Sequence, residues 1–477
     1  MGAYLLMMIV LGLVAKTRRQ NESLSDFYLA GRGLGPFVLL LSLYATQYSG
    51  NTVVGYPAEA WRLGYAWIMS VSFMMAIVVG YLAFAPTLRR VATERGFITP
   101  GDWVDYRFGS RSLSMATNTL LVVSIANYLL AQLMAMGHVV AGISGNLVPY
   151  WVGVLILVGV IIVYETLGGL RAVAWTDVIQ GSMLLIGLGG LLYAVAPGPS
   201  SWLALTQWLH ENAPEKVALP DRDITKRWFS TIILIGFSGS IYPQAIQRIY
   251  AARSTRTLKR SLQCMIFMPL VTMPVVVLVG LMGIQRFSNL EGIASDQIMP
   301  MLLHEWAQAS PWTYVMAVLV VTGTLAAVMS TADSVLLSLS SILSKDFLGK
   351  TLLKNASEER LTAVGKRISW VVMGVLALVA FAPRFTLWGL TELKMEILIQ
   401  ASPVFVLGAM WPRFHAKAAL AGMLAGTGVA GGLALAGEAG ALGIQRGVLG
   451  FGVNLAIGIA LSMIDRRSEP QPAPPDE

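Results

Sequence analysis

An apolar stretch from Gly323 to Asp346 carries an unusual number of side-chain hydroxyls. Steps of three and four residues place one set on a single helix face: Ala327, Ser330, Thr331, Ser334, Ser338 and Ser341. Asp333 adds a carboxylate, which costs about 2.5–3.5 kcal/mol to insert at a bilayer centre. Oxygen ligands of this kind suit a hard cation. The stretch therefore predicts a cation site, although hydroxyls in membrane helices also serve helix packing.

The apolar segment 36–58 is interrupted near its centre by a mainly small and polar run. The run is Ala45, Thr46, Gln47, Tyr48, Ser49, Gly50, Asn51 and Thr52. Unwound backbone at membrane depth is tolerated where it lines a cavity or is buried in protein, and transporters use such breaks to bind ions and substrate. The run predicts a broken helix, with a packing notch at Gly50 as the alternative.

A second segment, 228–247, is interrupted in the same way five spans later. Its interrupting residues are Gly236, Ser238, Gly239, Ser240 and Pro243. Two broken helices in corresponding positions indicate a five-plus-five inverted repeat with a binding site near the membrane midplane. We therefore expect the ion and the solute to meet between the two breaks.

The composition is that of an integral membrane protein, whose first partner is the lipid bilayer. Of the 477 residues, 55% are hydrophobic and 13% are charged, and the mean hydropathy is +0.65. The net charge of +8 arises from basic residues between apolar segments, which argues against nucleic acid as a partner. The single cysteine, Cys264, excludes an intrachain disulfide and a cysteine-based metal site.

Apolar segments of about 20 residues predict an all-α protein with about 13 transmembrane helices, in which the first and sixth core helices are broken. The predicted spans are 2–15, 36–58, 66–88, 114–143, 148–164, 173–196, 228–247, 262–285, 311–343, 367–383, 387–411, 417–437 and 447–464. The first is short, which favours a native start upstream of Met1. Basic residues in alternate loops place the N-terminus outside and the C-terminus in the cytoplasm, in the cell (inner or plasma) membrane.

These spans divide the chain into five parts. Residues 1–34 form a short N-terminal span and a cytoplasmic loop, and 35–197 form the first inverted repeat. Residues 198–412 hold an outer loop and the second repeat. Residues 413–467 supply two peripheral helices, and 468–477 are a polar, proline-rich and disordered tail.

The segment YETLGGLRAVAWTDVIQG places Asp177 and Gln180 one turn apart, near the cytoplasmic end of the span 173–196. Gly168–Gly169 predicts a sharp turn before that span. A carboxylate at this depth either stabilises the structure through Arg171 or marks an ion exit route. The spacing favours neither.

Three motifs, SLSDFYLAGRGLG, GGLRAVAWTDVIQG and AAVMSTADSVLLSLSSILSKD, resemble those of the sodium:solute symporter family in order and spacing. The resemblance covers essentially the whole chain. It implies the LeuT-like inverted-repeat fold of sodium-coupled amino-acid transporters, with a short first span, a ten-helix core and two peripheral helices. It also implies Na⁺ as the coupling ion, and no organic cofactor is expected.

The resemblance implies a sodium site between the first and eighth core helices, built from three carbonyls and two hydroxyls. The matching residues are Ala45, Tyr48, Ala327, Ser330 and Thr331. Some members hold a second sodium nearer the cytoplasm, for which the matching residues are Asp177, Ser330, Asp333 and Ser334. If the two carboxylates face each other, they would hold either a sodium or a shared proton.

The small-molecule substrate is expected beside the two breaks, where alternating access would import it. The predicted lining residues are Gln47, Ser49, Asn51, Thr52, Ser238, Tyr242 and Gln400. The stretches ILIGFSGS and MPLVTMPVVV are mainly apolar, and the third core helix has no lysine or arginine at mid-span. These features favour a small monocarboxylate-like organic anion or an amino acid over a sugar.

Enzyme motifs of the HExxH, GxSxG, CxxC and Walker types do not occur, and the four histidines are scattered. The chain is therefore predicted not to be an enzyme. The rival interpretation is a solute-sensing membrane receptor that uses the same fold with a separate output partner. For a transporter, no obligate protein partner is expected.

Overall fold

The structure is a computed structural model that describes residues 24–195 and 199–464, without the side chains of 164–169, 171–172 and 192–200. The predicted first span at 2–15 and the tail at 468–477 lie outside the described residues. Nearly all of the described chain is helical, which confirms the all-α fold class.

The helices of the first half are α1 Leu24–Leu29, α2 Pro36–Gln47, α3 Tyr56–Leu63, α4 Met69–Arg95, α5 Pro100–Phe108, α6 Arg111–Ile143, α7 Tyr150–Val195 and α8 Pro199–Asn212. The second half contains α9 Arg222–Gly239, α10 Pro243–Ala251, α11 Thr255–Met265, α12 Met268–Arg286, α13 Ile298–Ala309, α14 Pro311–Ser341, α15 Glu358–Ala380, α16 Leu387–Leu398, α17 Ser402–Met410, α18 Ala416–Leu435 and α19 Arg446–Ile464. A short hairpin of β1 Gly440–Ala441 and β2 Ile444–Gln445 joins the last two helices.

Both predicted helix breaks are present. The first core helix ends as α2 at Gln47 and resumes through a π-helical turn, Asn51–Gly55, that leads into α3. The sixth core helix divides into α9 and α10, which are bent by 50° at the break. These breaks confirm the broken-helix prediction and bring unwound backbone into the protein interior.

Within the described ranges, eight helical stretches are long and apolar enough to cross a membrane, or nine if α9 and α10 form one span. The predicted count of about 13 is therefore not confirmed. One difference is α7, which is a single helix where two spans, 148–164 and 173–196, are predicted. The predicted turn at Gly168–Gly169 is wrong, since a glycine costs a helix only about 1 kcal/mol whereas unpaired backbone groups in a bilayer cost several.

Helix α14 occupies the centre of the molecule. Every residue from Gly323 to Ile342 is buried, so its hydroxyl face meets protein rather than lipid. It packs along α7 through facing glycines, where a Cβ on Gly187 would lie 3.5 Å from the Cα of Gly323. Small residues allow this close approach, which places the polar face of α14 against the broken helices.

Candidate functional site

The break in the first core helix is held by a close contact at Gly50. Its backbone N–H donates to Oε1 of Gln132 at 3.0 Å. A Cβ at this position would lie 2.6 Å from a methyl carbon of Val328 and 2.9 Å from the same Gln132 oxygen. Only glycine fits without displacing its neighbours, so the unwound segment is fixed between α6 and α14.

Four of the five predicted sodium ligands meet at this break. The Ser330 hydroxyl lies 3.0 Å from the Ala45 carbonyl and 3.1 Å from the Ala327 carbonyl, and the Thr331 hydroxyl lies 3.4 Å from the Ala45 carbonyl. Tyr48, the fifth, follows the end of α2 with ψ 84°, which turns its carbonyl away from the helical direction. The geometry thus brings the Ala45 carbonyl of α2 to the hydroxyl pair of α14.

This oxygen cluster suits a monovalent cation. Its members are carbonyls and hydroxyls, which are ligands for hard cations, and none of them carries a charge. Hard cations such as Ca²⁺ bind oxygens at about 2.3–2.6 Å, so neighbouring ligands around such an ion lie roughly 3–3.5 Å apart. The observed separations of 3.0–3.4 Å fall in this range.

Below this cluster, Arg248 of α10 occupies the place where a second ion is predicted. The guanidinium forms an ion pair with Asp177 of α7 at 2.7 Å. It also donates to the hydroxyl of Ser42 on α2 at 2.6 Å and to that of Ser334 on α14 at 2.5 Å. The Ser42 hydroxyl in turn donates to Asp177. One buried arginine therefore joins four helices.

Asp177 pairs with Arg248, and no contact joins it to Asp333 among the described residues. Both carboxylate oxygens of Asp333 are buried and have no hydrogen-bond partner among the described residues. Over the same residues, no group of three acidic, histidine or cysteine side chains is placed to hold a metal ion. Asp177 and Ser334 thus contact a cation that the protein itself supplies.

The lower part of the hydroxyl face on α14 has a structural role. Ser338 donates to Oε1 of Gln247 at 2.5 Å, and Nε2 of Gln247 donates to Ser341 at 2.8 Å. These bonds satisfy the amide of a buried glutamine on α10. The single polar face seen in the sequence therefore divides into a cation cluster, an arginine contact and a packing contact.

A small cavity of about 10 Å³, room for about one water, lies between the two breaks. Its lining residues are Gln47, Ser49, Asn51, Thr52, Tyr56, Met74, Ile77, Tyr128, Ile235, Tyr242, Thr391, Lys394 and Met395. All of them are buried. The cavity is therefore enclosed by protein and must widen to admit a solute.

Five of the seven predicted substrate residues line this cavity, and two do not. Ser238 bonds the Leu234 carbonyl and the sulfur of Met395. Gln400 lies outside the cavity lining, and its amide donates to the Gly447 carbonyl of α19 at 2.9 Å. A glutamine near a helix end can satisfy its amide on either neighbour, and sequence spacing does not show which one.

The sequence interpretation missed Lys394, which lines the cavity from α16. It lies inside a predicted span, 387–411, in the string TELKMEIL, and a lysine at that depth is itself a signal. Its ammonium lies 3.4 Å from the ring centroid of Tyr128 and 4.8 Å from that of Tyr242. Arg248 was missed for another reason, since its position after the sixth core helix suggests a cytoplasmic loop.

One wall of the cavity is held by an ionic contact outside it. Arg62 at the end of α3 pairs with Asp296 at 3.0 Å, and Asp296 accepts the backbone N–H of Leu387 at 2.8 Å. Burial raises the pKa of Asp296 to about 6, against the opposing effect of Arg62. A cluster of aromatic rings, including Trp67 and Trp388 with centroids 4.7 Å apart, packs beside this contact. Together they tie α3 to α16.

Two broken helices that meet at a cation-suited oxygen cluster and an enclosed cavity define a secondary transporter of the inverted-repeat class. The family model for the sodium:solute symporter family matches residues 27–426. The chain belongs to this family, as its three motifs predict, and is a multi-pass membrane protein.

Relatives of named activity are similar to the chain along most of their length. The chain is 26% identical to the osmoregulated proline transporter of Bacillus subtilis, over 98% of this chain and 94% of that one. It is 28% identical to the sodium/proline symporter of Salmonella typhimurium, over 89% and 84%. It is 25% identical to the sodium/pantothenate symporter of Haemophilus influenzae, over 86% and 84%.

Among solved structures, a Na⁺-coupled sialic acid symporter in a substrate-bound outward-open state matches with a TM-score of 0.77. The match covers 98% of both chains at 19% identity. A nucleobase-cation-symport-1 family transporter in a closed conformation matches with a TM-score of 0.58 at 14% identity. These likenesses confirm the fold.

Proposed function

We propose that this protein is a sodium-coupled symporter that imports a small organic solute across the cell membrane by alternating access. The observation that carries the proposal is the contact of Ser330 and Thr331 on α14 with the carbonyl of Ala45 at the first break. A sodium ion bound there would join the central helix to the unwound segment that lines the cavity.

The proposed transport cycle begins when sodium binds between α14 and the unwound segment of the first core helix. Sodium from outside would hold α2 and α14 together and fix the break that presents Ser49 and Asn51 to the cavity. The solute then completes the closed state, since a ligand shifts an equilibrium toward the state that binds it better. Rocking of the broken helices around the site would open it inward.

We assign one sodium ion to each cycle. Arg248 fills the position predicted for a second cation and neutralises Asp177. A second sodium there would face a guanidinium at contact distance and would have to displace it. The Arg248 guanidinium thus takes the place of a second ion, and its pair with Asp177 links α10 to α7 beneath the sodium cluster.

The substrate is a small organic anion or an amino acid rather than a sugar. Proline and pantothenate, the solutes named for two of the similar proteins, both carry a carboxylate, and so does sialic acid, a sugar acid named for a third. The cavity offers apolar surface from Met74, Ile77 and Ile235 beside a few amides and hydroxyls. Such a mixture fits a compact solute with an apolar part.

Uptake into proteoliposomes tests this function. Radiolabelled monocarboxylates, amino acids and sugars are presented to the purified protein with an inward sodium gradient, and again with sodium equal on both sides. We expect accumulation of a monocarboxylate or an amino acid that requires the gradient. Solute binding without sodium-driven accumulation would contradict a symporter and would favour a receptor.

A further inference from the structure

Lys394 is a buried cation on the wall of the cavity. Its side chain is 1% exposed, and its ammonium lies over the face of Tyr128 and beside that of Tyr242. The two rings stack on each other with centroids 5.4 Å apart. Aromatic faces attract an ammonium but do not neutralise its charge.

The carboxylates nearest to Lys394 along its helix are held by arginines. Glu392 pairs with Arg227 at 3.2 Å, and Glu396 pairs with Arg446 at 2.7 Å. In the part of the chain that the structure describes, no acidic side chain forms an ion pair with Lys394, and the cavity lining contains no aspartate or glutamate. A charge at membrane depth is costly and normally has a partner, so the cavity lacks an anion.

We propose that Lys394 binds the carboxylate of the transported solute and selects an organic monocarboxylate that has no ammonium group. This inference rests on the proposed function and narrows its substrate class. A bare carboxylate would form a charge-assisted hydrogen bond with the ammonium. A zwitterionic amino acid would bring a second cation beside Lys394, and the lining has no acidic side chain to receive it.

Asn51 of the first break offers a polar group for the rest of such a solute. The Asn51 side chain donates to Thr391 at 2.7 Å, and its own carbonyl oxygen is buried without a partner among the described residues. That oxygen can accept a hydrogen bond from a hydroxyl or an amide of the solute. The cavity thus offers an ammonium for a carboxylate and an amide oxygen for a neutral donor.

Tyr128 connects this solute contact to the sodium cluster. Its ring faces Lys394, and it lines the cavity together with Ser49 of the first break. A carboxylate that draws the Lys394 ammonium toward itself would weaken the contact of that ammonium with the Tyr128 ring. The position of this ring beside the first break would then change with solute binding. Sodium and carboxylate should therefore strengthen each other's binding, by the same factor in both directions.

The test compares carboxylates with neutral analogues of the same shape. Propionate, lactate and pantothenate are paired with propionamide, lactamide and panthenol, and proline serves as the zwitterion. Binding is measured by calorimetry in detergent with sodium, and uptake is measured in proteoliposomes. The variants are Lys394→Met, Lys394→Arg and, as a control, Lys226→Met, which removes an exposed lysine paired with Asp223.

We expect wild type to bind at least one carboxylate about 30-fold or more tightly than its neutral analogue, since the loss of a charge-assisted contact is large. Lys394→Met should bring that ratio close to one, Lys394→Arg should retain part of it, and Lys226→Met should leave it unchanged. Sodium alone should still raise the thermal stability of Lys394→Met, which shows that its sodium cluster is intact.

The inference is overturned if Lys394→Met keeps the wild-type ratio, or if wild type binds proline or neutral analogues in preference to every carboxylate. Sodium-driven uptake of proline or a sugar, unaffected by Lys394→Met, would overturn the inference and leave the symporter function standing. Carboxylate binding through Lys394 without any sodium-driven uptake would overturn the symporter function and leave the role of Lys394 in binding standing. The absence of both binding and uptake for all probes would overturn both.

Discussion

Arg248 changes the role that can be assigned to the residues it contacts. Asp177 and Ser334 match a second sodium site by sequence, yet both contact this guanidinium, whose side chain is almost fully buried. An ion pair of this kind adds little to stability relative to apolar residues, but removal of one partner leaves a buried charge. The pair therefore acts as a fixed junction among four helices.

Arg248→Gln should lower the free energy of unfolding by about 3–5 kcal/mol, because Asp177 would remain buried without a counter-ion. The double variant Arg248→Gln/Asp177→Asn should recover much of this loss. Arg227→Gln, which breaks a more exposed pair with Glu392, should cost about 1 kcal/mol or less. Denaturant unfolding in detergent measures all three, and equal losses at Arg248 and Arg227 would contradict the assignment.

Some site residues follow from the sequence because helical spacing determines which positions share a face. Ser330 and Thr331 are predicted in this way and Ala45 from the polar interruption, and the structure brings the three together. Helical spacing does not show which residue of another helix a side chain will contact. Arg248 is therefore assigned to a loop from the sequence. Lys394 has a signal, its depth in an apolar span, but its pairing with two tyrosines depends on tertiary packing.

At the scale of elements, the break between α2 and α3 lies beside both the proposed sodium site and the cavity. The break is predictable because small and polar residues interrupt an apolar segment. The continuity of α7 through Gly168–Gly169 is not, since glycine permits a break without requiring one. The predicted helix count is not confirmed over the described residues, and apolar length alone does not show how a segment sits in the membrane.

Gly50→Ala should disturb this break, because the added methyl group would overlap Val328 and Gln132. Overpacking of this kind costs about 1–3 kcal/mol, and we expect sodium activation of uptake to weaken by about tenfold or more. Gly428→Ala in α18 is the matched control, since its Cβ would meet no atom within 4 Å. Wild-type sodium activation in Gly50→Ala would show that the break does not hold the ion.

For the whole molecule, the proposed coupling of one sodium ion to one monocarboxylate predicts how much charge crosses the membrane in each cycle. One sodium and one monocarboxylate together carry no net charge, while Lys394 and Arg248 stay with the protein. The membrane potential should therefore add nothing to solute accumulation, although a single uncompensated charge would gain about 2.3 kcal/mol per 100 mV.

Proteoliposomes with a potassium diffusion potential can measure this charge balance. We expect steady-state accumulation of the carboxylate to change less than about twofold per 100 mV, whereas one net positive charge would change it by about 50-fold. A dependence near 50-fold would mean a second cation or a zwitterionic solute, and would contradict the assigned stoichiometry.

The most direct test of the account is the sodium dependence of uptake in Thr331→Ala. This change removes a hydroxyl that contacts the Ala45 carbonyl at the first break. Thr322→Ala, which removes a hydroxyl bonded within α14 to the Val318 carbonyl, is the control. We predict that the half-activating sodium concentration rises about tenfold or more in Thr331→Ala, equivalent to about 1.4 kcal/mol, and is unchanged in Thr322→Ala. An unchanged value in Thr331→Ala would contradict the sodium site on which the proposed coupling depends.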